Sequence, residues 1–403
     1  MTVELDLRDP AFVADPYPTW DRIREDDPVH WSEKHRSWFL TRHADVEAFF
    51  HEPGFSADKG QAAKGAGFRG ERSFRSIGSD PPEHTVVRQL AQRGFTARET
   101  DALKPRIEAM VDRLLDRISS TFSRSAAHSA ADREKVRRGE GTFDLIRDFA
   151  YPLPITVIAE LFGVPEADRP LFSAWSRQMA EGMDHFYSGM DSGWADMGAY
   201  IAGLIEERQR HPGDDLISRM LEAEGDDALT ATEVTSLCTL LVFAGHETTT
   251  NLIGNGLLAL LRSPEQLDAL RKADGAGLRT AIEELLRFDS PAQIINRAVR
   301  SDTVIGDSTL RAGDSVVAAL GAANRDPARF SEPHLLDIAR HPSPHLAFGQ
   351  GVHFCLGAAL SRREAQLALP ALLDRFPDLR LAGEPVWRPT AVLRGLESLL
   401  LAG

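Results

Sequence analysis

From Ala231 to about Arg262 the chain carries a helical pattern that is apolar on nearly every side. A helix without a polar face belongs in the middle of a protein, so this stretch predicts a rod enclosed by a large helical body. It does not predict a membrane span. The best apolar run, Leu237 to Ala244, is cut by Gly245, His246 and Glu247, well short of the ~18 residues a span needs. Around the rod, the spacing of apolar residues predicts helices near 83–94, 99–121, 147–162, 167–183 and 191–210, then 264–272 and 277–288, and a last long one from Cys355 or Leu356. Extended patterns are fewer, at 28–30, 37–42, 295–306 and 308–320, with turns at Gly306-Asp307 and Ala312-Gly313-Asp314. Residues 55–80 and 324–345 show no periodicity, and Ser123 to Thr142 reads as a solvated loop or helix extension. The expected fold class is mainly α with a small β region.

The rod is interrupted by Ala244-Gly-His-Glu-Thr-Thr-Thr250. Polar side chains inside an apolar helix cost free energy unless they are satisfied, and a mid-helix threonine can bond back to the i−4 carbonyl and distort the helix. Leu240, Ala244 and Thr248 are spaced i, i+4, i+8 and share one stripe. A large side chain, a small one and a hydroxyl along that stripe leave room for a flat group with a polar spot beside it.

A second segment, Phe348-Gly-Gln-Gly-Val-His-Phe-Cys-Leu-Gly357, places three glycines in ten residues, which lets the backbone take positive φ and approach something closely. Cys355 then stands at the mouth of a long helix, where backbone N–H groups and the positive helix end lower a thiol pKa. Such a thiolate could be a nucleophile, a redox thiol or a metal ligand. The local sequence implies no separate base. The other cysteine, Cys238, lies in a different context, so neither a disulfide framework nor a thiol pair is expected. Zinc would normally need several Cys or His at short spacing. Thiolate ligation of a haem iron fits what remains.

Taken together, Phe348, Gly349, Gly351, His353, Cys355 and Gly357 resemble the haem-binding loop of the cytochrome P450 family. Ala244-Gly-His-Glu-Thr248 resembles its central helix, and Glu284 and Arg287 fall on its Glu-x-x-Arg motif. The resemblance runs over nearly the whole chain; the stretch from Ser123 to Thr142 looks longer than the usual connection. It implies a P450 fold with residues 1–403 forming one compact domain around a buried haem b, iron protoporphyrin IX. Cys355 would be the proximal ligand, within a loop where Phe348, Gly349 and Gly357 shape the cofactor's seat. Glu247 and Thr248 would deliver protons for dioxygen activation, and Ala244 would clear space. Glu284 and Arg287 would be structural, with Arg340 as a third partner. Propionate donors would be His84, Arg88, Arg297 and His353. Substrate contacts, placed by analogy, would be Leu240, Phe243, Ile294, Ile295 and Val392, with the 60–78 and 183–190 segments.

The implied activity is insertion of one oxygen atom from O2 into a hydrophobic small molecule, by hydroxylation or epoxidation, in natural-product metabolism. Peroxide-driven oxygenation and non-catalytic haem binding are the alternatives; the Glu247-Thr248 pair favours the dioxygen route. The chain has no flavin or nicotinamide motif, so electrons must come from outside, with a ferredoxin and its reductase as the expected source. Arg88, Arg93, Arg98, Lys104, Arg106, Arg362 and Arg363 could form a basic docking patch. Net charge bears on partners here: −14 argues against nucleic acid. The acidic, proline-broken N-terminus lacks the features of a signal peptide, so a cytoplasmic location without membrane contact is expected.

Overall fold

The computed structural model describes residues 4–58, 79–125, 141–183, 192–223 and 229–403. Its helices are α1 (Pro10–Ala14), α2 (Tyr17–Asp26), α3 (His43–His51), α4 (Glu83–Gln92), α5 (Ala97–Ser125), α6 (Pro152–Leu161), α7 (Arg169–Met183), α8 (Ser192–Arg210), α9 (Leu216–Leu221), α10 (Ala231–Leu261), α11 (Pro264–Arg271), α12 (Gly275–Phe288), α13 (Leu320–Ala323) and α14 (Ala358–Arg375). The strands that position the site are β1 (Val29–Ser32), β2 (Ser37–Leu40), β3 (Phe55–Ser56), β4 (Thr142–Asp144), β5 (Ile294–Val299), β6 (Thr303–Ile305), β7 (Ser308–Leu310) and β8 (Ser315–Ala319). Short strands between Arg380 and Ala402 complete the β content.

The rod is α10. A reciprocal cap starts it: Glu233 N–H donates to Thr230 Oγ1 at 3.2 Å, and Thr230 N–H donates to the Glu233 carboxylate at 2.9 Å. It is buried along most of its length and packs against α6, α8 and α14. The approach is close at Gly245, where a Cβ would stand 2.6 Å from Ile158 of α6. The main hydrophobic core surrounds this helix, which places the mechanical centre of the protein on the residues that interrupt its apolar pattern.

Beside the helical body lies a five-stranded sheet in the order β1-β2-β8-β5-β3. β2 and β8 run parallel and the remaining pairs antiparallel, with Arg297 opposite Val316. Alternation along the strands gives two faces. One carries Ile295 and Val299 toward Phe49 and Phe50; the other carries Ile294, Val317 and Ala319 toward Trp20 and Phe39.

Several boundaries differ from the sequence expectation. The helix expected at 147–162 is two pieces, a π turn at Ile146–Ala150 and α6, because Pro152 supplies no N–H and starts a new helix at its first turn. The last helix begins at Ala358 rather than at Cys355 or Leu356, with Gly357 as its cap. α9 and the short strands after Arg380 carry too little periodicity to be visible beforehand. Residues 60–78 and 184–190, and most of Ser123–Thr142, lie outside the described residues. Among the described residues, no helix is long and apolar enough to cross a membrane.

Candidate active site

The cysteine loop is built on two left-handed glycines, Gly349 at φ +65° and Gly351 at φ +70°. A Cβ at Gly349 would stand 3.1 Å from the Phe50 ring, and one at Gly351 would stand 2.9 Å from the Phe50 carbonyl oxygen. Both backbone shape and crowding therefore demand glycine. The turn closes when Cys355 N–H donates to the Phe348 carbonyl at 2.9 Å. A Cβ at Gly357 would meet nothing within 4 Å, so the chain leaves open space immediately after the cysteine. Cys355 is half-buried. Burial pushes its thiol up, against the pull of the Gly357 and Ala358 amides and of the Arg362 and Arg88 charges. The expected lowered pKa is thus not a property of the chain alone, because desolvation outweighs the helix end; a coordinated metal would deprotonate the thiol outright.

Four nitrogen-bearing side chains gather around this loop. His84 and Arg88 sit one turn apart on α4, Arg297 on β5, and His353 in the loop itself. The His84 and His353 rings lie 4.1 Å apart. Arg88 Nη2 donates to the Phe354 carbonyl at 2.6 Å, and Arg297 stacks 5.1 Å from the Phe49 ring centre. Burial, then mutual repulsion in the histidines, pulls all four below their usual pKa values, His353 to about 3. Asp80, the one carboxylate that offsets this in His84, Arg297 and His353, is committed elsewhere: it pairs with Arg300 and accepts from Ser56 and Ala57. Among the described residues, His353 Nδ1 has no hydrogen-bond partner. Two arginines and two neutral histidines, crowded together and short of a free carboxylate among the described residues, fit a dianionic edge such as the two propionates of a haem, as the open space beside Gly357 fits its plane.

On α10, between Leu237 and Thr250, the residues that remain partly exposed are Leu240, Ala244, Gly245 and Thr248. The i, i+4, i+8 stripe thus faces a space rather than the core. Thr248 Oγ1 donates to the Ala244 carbonyl at 2.8 Å. Glu247 is buried and ion-paired: His246 Nε2 lies 3.0 Å from Oε1, and Arg388 donates to Oε2. Burial alone would raise its pKa, but His246 and Arg388 outweigh that and hold it below the usual carboxylate range. Behind it, His246 Nδ1 lies 3.0 Å from Ser176 Oγ of α7. Arg388 also reaches the exposed Glu397 at 3.5 Å, which links the buried carboxylate to the surface.

Glu284 and Arg287 of α12 are fully buried and paired at 2.7 and 2.8 Å. Arg287 also donates to the carbonyls of Asn324, Pro333 and Leu335, and Arg340 Nε reaches Glu284 at 3.2 Å. The irregular 324–345 stretch is thereby tied down.

The substrate-contact residues expected by analogy separate. Leu240 lies on the open stripe and Ile295 shares a strand face with Arg297. Ile294 does not join them: strand alternation turns it into the core against Trp20 and Phe39, and Val392 packs against that same cluster. Phe243 is buried against Trp194 with ring centres 5.6 Å apart. Sequence reasoning missed His246 and Arg388 as partners of Glu247. His246 was visible within the motif; Arg388, 141 positions away, carried no signal.

A family model described as Cytochrome P450 matches residues 183–274 and 277–386. Cytochrome P450 107B1 of Saccharopolyspora erythraea is 40% identical over 410 residues, covering 97% of this chain and 96% of that protein. Two solved structures superpose with a TM-score of 0.86 at 35% identity. One is the cytochrome P450 PksS of the Bacillus subtilis bacillaene polyketide synthase, covering 99% of each chain. The other is P450BioI bound to an acyl carrier protein carrying hexadec-9Z-enoic acid, covering 98% of this chain and 100% of that one.

Proposed function

The chain belongs to the cytochrome P450 family and is a haem b-dependent monooxygenase, and from that premise we propose how its residues divide the work. Cys355 would hold the haem iron through its thiolate, and the haem would supply the activation of O2 and the transfer of one oxygen atom. His84, Arg88, Arg297 and His353 would orient the cofactor by binding its propionates; their gathering with no free carboxylate beside them among the described residues is the observation that carries this reading. Ala244 would keep the space over the open stripe clear for O2. Thr248 presents its hydroxyl there. Glu247, held as a carboxylate by His246 and Arg388, takes up protons from the solvent side and passes them toward Thr248.

The substrate is a hydrophobic molecule of moderate size, of natural-product type, bound between the Leu240–Ala244–Thr248 stripe and Ile295. Support comes from the apolar lining and from a relative named for polyketide biosynthesis. Electrons come from a ferredoxin. Its docking patch is smaller than seven cations, since Arg363 pairs with Asp101, Lys104 with Glu108 and Arg362 with Glu283, and Arg88 is turned onto the cysteine loop; Arg93, Arg98 and Arg106 remain.

The test is the spectrum of the reduced, carbon-monoxide-bound protein. A strongly red-shifted Soret band is expected, and its loss in Cys355→Ala. A band typical of histidine ligation in the wild type would overturn the assignment. Thr248→Ala should keep electron consumption while losing product.

A further inference from the structure

Arg362 has the sequence profile of a docking cation but not the geometry of one. Its Nε and Nη2 donate to the two oxygens of Glu283 at 2.6 and 2.7 Å, a bidentate fork. The same carboxylate faces His345 Nε2 at 3.0 Å. Ala347 N–H donates to His345 Nδ1 at 3.2 Å, so the ring proton is on Nε2 and points at Glu283. Burial pushes the Glu283 carboxyl up, but His345 and Arg362 overcome it and hold it at about 2. It is therefore a fixed negative charge at working pH.

This arrangement grips one residue. The Arg362 guanidinium lies 4.4 Å from the centre of the Phe348 ring, and the His345 ring centre lies 5.9 Å from it. Phe348 is the residue whose carbonyl takes the Cys355 amide. Three elements distant in sequence thus meet on the cysteine loop: α12 through Glu283, the irregular segment through His345, and α14 through Arg362. The Arg362 guanidinium is thereby held against the loop that carries the sulfur.

Resting on the reading of Cys355 as the iron ligand, we infer that Glu283 is a positioning residue that pins Arg362 against Phe348, and that the balance of these two charges sets the reduction potential of the iron. One-electron reduction adds a negative charge at the metal, so positive charge nearby favours the reduced state and negative charge opposes it. Glu283 offsets Arg362. Removing the carboxylate's charge leaves the guanidinium unbalanced, and removing the guanidinium's charge leaves the carboxylate unbalanced. The two changes act with opposite sign.

A charge cycle tests this on the haem-loaded protein: wild type, Glu283→Gln, Arg362→Gln and the double variant. Each is first checked for the red-shifted carbon-monoxide band and then titrated against redox dyes. Glu283→Gln should shift the ferric–ferrous equilibrium several-fold toward the reduced form, Arg362→Gln several-fold toward the oxidised form, and the double variant should return toward wild type. A clamp that only braces the loop would move both single variants the same way, and that result, or no shift in either, overturns the inference. If Arg362→Gln does not take up haem, Arg362→Lys serves: it keeps the charge and loses the fork, so its potential should stay near wild type while Glu283→Gln still rises. A wild type without the thiolate band would instead sink the assignment of Cys355, so the two failures are distinguishable.

Discussion

Two clusters of buried charge in this chain meet the cost of burial in opposite ways. At Arg287 the account is closed within the protein: five hydrogen bonds, two to Glu284 and three to backbone carbonyls, use the five donors of the guanidinium. Glu284 is saturated in turn by Asp337 N–H and Arg340. Around the cysteine loop, His84 and Arg297 are buried and Arg88 and His353 half-buried, with no free carboxylate beside them among the described residues. A closed cluster is scaffold. An open cluster of one sign is a place for a ligand's charge, because desolvated cations need an anion from somewhere.

The largest expected effect lies in the closed cluster. Arg287→Ala strands a fully buried carboxylate and should cost about 3–5 kcal/mol of stability, read as a fall in the denaturation midpoint with or without haem. A loss under 1 kcal/mol would mean the cluster is not the brace its geometry suggests. In the open cluster, Arg297→Ala should weaken haem retention by roughly 10- to 100-fold, the worth of one charge-assisted hydrogen bond of about 1.5–3 kcal/mol. Haem transfer to apomyoglobin measures it. The haem-free midpoint should barely move, and a fall as deep as that of Arg287→Ala would erase the distinction between the clusters.

The smallest effect is a pH dependence. Burial first, then Arg88, holds His84 below the usual histidine pKa in the haem-free chain. As pH falls below that ordinary range, the unfolded chain takes up a proton that the folded chain refuses, so the haem-free fold loses stability with acid. His84→Gln should flatten this slope, and haem should flatten it in the wild type by supplying the missing anion. An unchanged slope in His84→Gln would place the titration elsewhere.

Much of the scaffold was legible because it repeats. The period of α10, the helices flanking it and the glycine spacing before Cys355 are local patterns, and the Glu284–Arg287 spacing needs only one helix turn. What escaped reading has no local pattern. Arg388 meets Glu247 only because a C-terminal strand folds back on α10. Ile294 and Ile295 are neighbours of equal hydrophobicity; alternation puts Ile295 on the face of Arg297, but only the sheet's position decides that the other face meets Trp20. Arg362 reads as a surface cation until α12 brings Glu283 beneath it.

By itself, then, the order of residues determined a helical body around an apolar rod and a cysteine delivered on a glycine turn, because helix period and backbone freedom are properties of neighbouring residues. The tertiary structure alone decided which charges are neutralised and which are left for a ligand. Coulomb energy and desolvation depend on what surrounds a group in space, and many of those neighbours come from other segments of the chain, 37 positions away for Asn324 and Arg287 and 141 for Arg388 and Glu247.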